Sequence, residues 1–139
     1  MPDLTSTEIA GRIEDLYRAP LGDLASHAQD LPPGMLSALL GMHDEVAHAE
    51  RSIASHRDRL AQLVHPERQI GGHEVSHVLD CSRRLAEAVS VRDVQARTAS
   101  AVLQSLGPVP APAPSPGSAS AVPAAPAPPV PAASAARSR

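Results

Sequence analysis

MLSALLGMHDEVAHAERSIASHRDRLAQLV, Met35 to Val64, places Leu36, Leu39, Leu40, Val46, Ala47, Ile53, Leu60 and Val64 at steps of three, four and seven. Such spacing gathers apolar side chains along one stripe of a helix, the pattern of a helical seam. At 1.5 Å per residue the segment predicts a helix about 45 Å long. Pro32-Pro33-Gly34 breaks the chain before it, and the connection HPERQIGG, with Pro66 and Gly71-Gly72, breaks it afterwards.

A second long helix is expected over 73–106, with Val75, Val78, Leu79, Leu85, Ala86, Val89, Ala96, Ala99, Leu103 and Leu106 on one side. Gly107-Pro108 ends it in the order expected of a helix C-terminus. In an antiparallel hairpin the numbers of facing residues add to a near-constant value. With that value near 139, Leu36 faces Leu103, Leu40 faces Ala99, Ile53 faces Ala86, Leu60 faces Leu79 and Val64 faces Val75. Apolar meets apolar nearly throughout, which predicts an all-α fold built on a long antiparallel hairpin over 35–64 and 73–106. The same register sets His43, Glu50, Arg57, Ser82, Arg92 and Asp93 on or beside the seam. Because unpaired burial is costly, these residues are expected to pair across the helices or to lie at the seam's edge.

Ahead of the hairpin, Thr5-Ser6-Thr7-Glu8 offers a capping box, followed by Ile9, Ile13 and Leu16. A short helix is expected to about Arg18, interrupted or restarted at Pro20 and continued by Leu21, Leu24 and Ala28 to Asp30. Both short helices are expected to pack across the hairpin, giving one helical domain over 1–107. From Pro108 the chain is rich in Pro and Ala and uncharged until Arg137. That composition predicts a disordered tail of polyproline II character over 108–139. Its Pro123, Pro126 and Pro129 have the spacing that proline-binding grooves accept, although a solvated tail without a dedicated partner is the plainer expectation.

Composition narrows the functions. Tyr17 is the only aromatic residue, so the core rests on Leu, Val, Ile, Ala and Met, which suits closely approaching helices better than a sandwich or barrel. Every one of the 12 basic residues is Arg, and Lys, Asn, Phe and Trp are absent. Loss of residues with AT-rich codons is the mark of a GC-rich bacterial genome and carries no mechanism. All 15 acidic residues precede Gly107, where ten Arg accompany them, a net charge of −5 with His neutral. Such a surface repels phosphate backbones, and Arg83-Arg84 is the only adjacent basic pair, so nucleic acid is not the expected partner. A single cysteine, Cys81, excludes an intramolecular disulfide. The acidic, helically spaced start and the lack of a long apolar run predict neither a secretory signal nor a membrane span, hence a cytoplasmic protein.

GGHEVSHVLD, Gly71 to Asp80, holds the one motif with catalytic associations. His73, Glu74 and His77 form His-Glu-x-x-His, which resembles the zincin pattern of two zinc ligands and a general base on one helix. The likeness spans five residues. It supplies neither a third ligand in reach nor the edge strand that would hold a substrate, since Glu87 stands about two and a half turns further along the same helix. Glu74 also suits the positive end of a helix, and His73 a flanking or capping place. No enzyme activity is therefore expected.

A structural metal site is the stronger rival. His65, His73, His77 and Cys81 are the candidate ligands, with His65 brought near Glu74 by the hairpin and the other three at i, i+4 and i+8, where zinc would clip the end of the bundle. Glu45/His48 and Glu74/His77 have the spacing of carboxylate-bridged di-iron bundles, but the hairpin sets them roughly 30 Å apart. Cys81 lies mid-helix with no loop or oxyanion donor beside it, and Gly71-Gly72 lacks the strand and Lys of a phosphate loop. The expectation is a small non-enzymatic helical interaction protein, an adaptor, regulator or assembly component with an unidentified protein partner. A thin hairpin without aromatics buries little, so a homo-oligomer is expected. A metal-binding protein using the His-rich end, and a DNA-associated regulator using Arg83 and Arg84, are the alternatives.

Overall fold

The computed structural model describes residues 4–107; the tail, with its proline spacings, lies outside the described residues. Four helices and no strand occur among the described residues: α1 (Ser6–Tyr17), α2 (Leu21–Gln29), α3 (Met35–Leu63) and α4 (Gly72–Leu106). The fold is all-α, with α3 and α4 forming the long hairpin and the two short helices packed on it.

Local chemistry sets each boundary. Thr5 is the N-cap of α1: its Oγ1 accepts from the Glu8 N–H at 3.3 Å, and the Glu8 carboxylate accepts from the Thr5 N–H at 2.8 Å. Arg18 ends the helix in the left-handed region at φ 58. Pro20 then serves as the extended N-cap of α2. Gly107 has φ −63 and ψ 161, the extended backbone imposed on a residue that precedes proline, and its N–H reaches the Leu103 carbonyl at 3.1 Å.

The face that α4 turns to α3 differs in part from the sequence expectation. The Cys81 thiol donates to the His56 carbonyl at 3.3 Å. Along α3 the inward line is Leu39, Met42, Val46, Ala49, Ile53, His56, Leu60 and Leu63, in alternating steps of three and four. On α4 it is Val78, Cys81, Leu85, Ala88, Arg92, Ala96, Ala99 and Leu103. Val64, Val75, Leu79 and Ala86, expected on the seam, are exposed instead, Leu79 at 65%.

The physical cause lies in side-chain size. Helix α4 has a wide apolar arc, and two stripes compete for the interface: one through Val75, Leu79 and Ala86, the other through Cys81, Ala88, Ala96 and Ala99. The second is made of small residues, which let two helix axes approach closely around the larger Leu39, Val46 and Leu63 of α3. Choosing the small stripe improves packing and turns the larger one to solvent.

The core is confined to one end. Ile9, Ile13, Leu24, Leu39, Val46, Ala96, Ala99 and Leu103 form a single cluster, edged by Leu16, Tyr17, Leu36 and Met42. Helix α1 packs against both long helices there, and α2 against α1 and α3. The other half of the hairpin, beyond about Arg51 on α3 and before about Ser90 on α4, has no covering helix. Its buried side chains are Leu63, Cys81 and Ala88, with Ile53, Leu60, Val78 and Leu85 half-buried.

Two carboxylates fasten the small helices. Glu50 of α3 accepts from the Ser6 N–H at 3.0 Å and from the Ser6 hydroxyl, which fixes the first turn of α1. Glu14 of α1 accepts from the Leu21 N–H at 2.7 Å and fixes the first turn of α2. Each satisfies a helix-terminal N–H that has no intrahelical partner, and each sets negative charge at a positive helix end. The polar residues near the seam are thus accommodated without cross-hairpin ion pairs: Glu50 serves α1, Arg92 pairs with its neighbour Asp93 at 2.7 Å, and Arg57 and Ser82 are exposed. No buried polar side chain occurs among the described residues.

Candidate functional site

The uncovered end of the hairpin carries the motif Gly71 to Asp80. The helix begins at Gly72, so His73 stands inside the first turn and is not the cap. Gly71 is the N-cap, and the Glu74 carboxylate accepts from its N–H at 3.0 Å. A Cβ at residue 71 would meet that carboxylate oxygen at 3.0 Å, so glycine gives Glu74 room to reach back. Hydrogen bonding to backbone N–H groups, its own and that of Gly71, lowers the Glu74 pKa below the ordinary 4.5. Glu74 therefore has the terminal role expected of it, with its carboxylate bonded to the backbone at the helix start.

His73 and His77 do meet. Their Nε2 atoms are 2.9 Å apart, and their rings stand edge to face with centroids at 4.4 Å. Both rings are exposed, so the contact is held by the helix alone. The other two sequence candidates have different engagements. His65 lies in the connection, where its Nδ1 accepts from the Glu67 N–H at 3.3 Å. Cys81 is 5% exposed and donates its thiol proton to the backbone of α3. Among the described residues no group of three or more His, Cys, Asp or Glu side chains stands close enough together to hold a metal ion.

Beside the pair, a shallow depression of about 220 Å³ lies between the helices, bordered by His56 and Arg59 of α3 and by His77, Asp80, Cys81 and Arg84 of α4. A larger hollow of about 420 Å³ lies at the opposite end, between Arg12 and Leu16 of α1 and Leu103 and Gln104 of α4. Arg83 and Arg84 both donate to Asp80 at 2.9 Å, and Arg83 also approaches Glu87 at 3.7 Å. The bond from Arg83, followed by that from Arg84, holds the Asp80 carboxyl below its ordinary value. These two guanidinium groups are thus partly neutralised by carboxylates of their own helix.

His56, central to this end, had no place among the sequence candidates. Its signal is its position three after Ile53 and four before Leu60, which marks an inward place. The exposed apolar residues Val64, Ile70, Val75 and Leu79 also collect at the connection end. No helix among the described residues is long and apolar enough to cross a membrane.

The arrangement defines an all-α hairpin protein capped at one end by two short helices, with an open two-helix arm at the other. No family model, curated protein or solved structure matches the chain.

Proposed function

We propose that the protein is a non-enzymatic helical interaction protein that associates through the open arm of its hairpin, first with a second copy of itself. The supporting observation is a pair of exposed apolar side chains on the uncovered arm. Val75 at 45% and Leu79 at 65% exposure lie one turn apart on α4, in the half of the hairpin that no short helix covers. Withdrawing such side chains from water contributes about 25 cal/mol per Å². A two-helix arm with only three buried side chains has little packing of its own. Association of two arms into a four-helix arrangement supplies the missing burial. The charged residues Asp80, Arg83 and Glu87 flank one side of the stripe and suit part of the polar rim of such an interface.

Sedimentation or light scattering of the full chain tests the reading. At tens of micromolar a dimer or larger species is expected, and Val75→Asp with Leu79→Asp should return it to monomer with its helix content kept, since both side chains are exposed. A wild-type chain that remains monomeric at that concentration sinks the self-association reading.

A further inference from the structure

The only two histidines of the seven separated by one helical turn are His73 and His77, and their Nε2 atoms already face each other at 2.9 Å. We propose that they form a two-imidazole chelate for a divalent late transition metal, the nickel, copper or zinc class, whose remaining positions are filled by water. This does not depend on self-association, because the stripe through Val75 and Leu79 lies on a different side of α4.

A hydrogen bond between two Nε2 atoms needs one of them protonated and the other bearing a lone pair. A metal ion takes the place of that shared proton. With metal–nitrogen bonds of about 2.0–2.1 Å, a separation near 2.9 Å corresponds to an angle of about 90° at the metal, the cis arrangement of octahedral or tetragonal ions. The edge-to-face rings must turn about their Cβ–Cγ bonds until both lone pairs converge, and exposure leaves them free to do so.

Protons balance in either starting state. From a neutral pair the donor ring shifts its proton from Nε2 to Nδ1, and none leaves. From a singly protonated pair one proton passes to solvent.

The surroundings set the strength. The first turn of α4 is the positive end of its dipole, which costs such a cation a few-fold in affinity. The Glu74 carboxylate, next to His73, counters part of that loss. Helix formation holds the two rings one turn apart, so the second imidazole binds as an intramolecular ligand. Loss of either ring should therefore weaken binding at least about tenfold. Because the chelate exists only when this turn is helical, bound metal also stabilises the start of α4.

The test uses the full chain without a histidine tag, titrated with nickel chloride by calorimetry and followed by thermal unfolding. One ion per chain and a raised unfolding midpoint are expected. Both effects should be lost in His73→Ala and in His77→Ala and kept in His48→Ala, His65→Ala and Cys81→Ser. Equal binding by wild type and the His73→Ala/His77→Ala double variant would overturn the proposal. Loss of binding in His65→Ala or Cys81→Ser would overturn it too, by requiring a larger ligand set. Circular dichroism without metal confirms that each variant keeps its helices.

Discussion

Removing the Glu50 carboxylate should detach α1 from the hairpin. Ser6 is the first residue of α1, and its N–H has no partner within that helix. Glu50 supplies one at 3.0 Å and takes the Ser6 hydroxyl with its other oxygen. A hydrogen bond to a charged group contributes about 1.5–3 kcal/mol, and a carboxylate at a helix N-terminus adds about 0.3–1 kcal/mol. Both groups are half-buried, so solvent screens part of this, and about 2–3 kcal/mol is a fair net cost for Glu50→Ala. For a helical unit of this size, about 4–8 °C of midpoint per kcal/mol puts the variant roughly 10–15 °C below wild type. Glu50→Gln keeps one acceptor and loses the charge, so it should cost about half as much. Urea unfolding gives the free energies, and a cycle with Ser6→Ala isolates the pair, with a coupling of about 1 kcal/mol expected. Amide exchange over Ser6 to Ile9 should quicken in Glu50→Ala before the rest of the chain responds. A loss below about 0.5 kcal/mol in Glu50→Ala, or strict additivity with Ser6→Ala, would refute this account of how α1 is held.

Three further outcomes are expected. Gly41 is exposed in the second turn of α3 with nothing within 4 Å of an added Cβ, so Gly41→Ala should stabilise by about 1 kcal/mol, read as a raised denaturation midpoint. Ile13 is 0% exposed in the core cluster, so Ile13→Ala should cost about 3–4 kcal/mol, whereas Leu79→Ala, measured at high dilution, should stay within about 0.5 kcal/mol; similar costs for the two would contradict the one-ended core. Glu8 and Glu74 titrate below their ordinary 4.5 because they accept backbone hydrogen bonds in the folded chain, so each contributes stability above that value and loses it as pH falls through its lowered folded pKa. Glu74→Gln should accordingly flatten the acid limb of a pH–stability curve, and an unchanged limb would remove this residue from the account.

The hairpin was legible because its signals are local and repeated. Steps of three, four and seven from Leu36 to Val64, broken by Pro32-Pro33-Gly34 before and Pro66 with Gly71-Gly72 after, leave one economical solution. Thr5 with Glu8, and Glu74 beside Gly71, read as helix starts because a capping carboxylate acts within its own first turn. His73 and His77 read as neighbours for the same reason, since one helical turn fixes their separation whatever the rest of the chain does.

Rotation of α4 was legible only in its second half, where Ala96, Ala99 and Leu103 stand on the expected seam and are buried. Val75, Leu79 and Ala86 match the period as well as Cys81 and Ala88 do, and the choice depends on how closely two axes can approach, a property of both helices together. The engagement of Cys81 with the His56 carbonyl follows from that rotation. The sequence by itself determined the helices, their breaks and the antiparallel pairing, because backbone hydrogen bonding and hydrophobic period are written residue by residue. Only the tertiary structure decided which stripe of α4 is buried, that Glu50 and Glu14 anchor the short helices, and that the core fills one end while the other stays open. These depend on side chains far apart in the chain, such as Ser6 and Glu50, whose meeting no local period encodes.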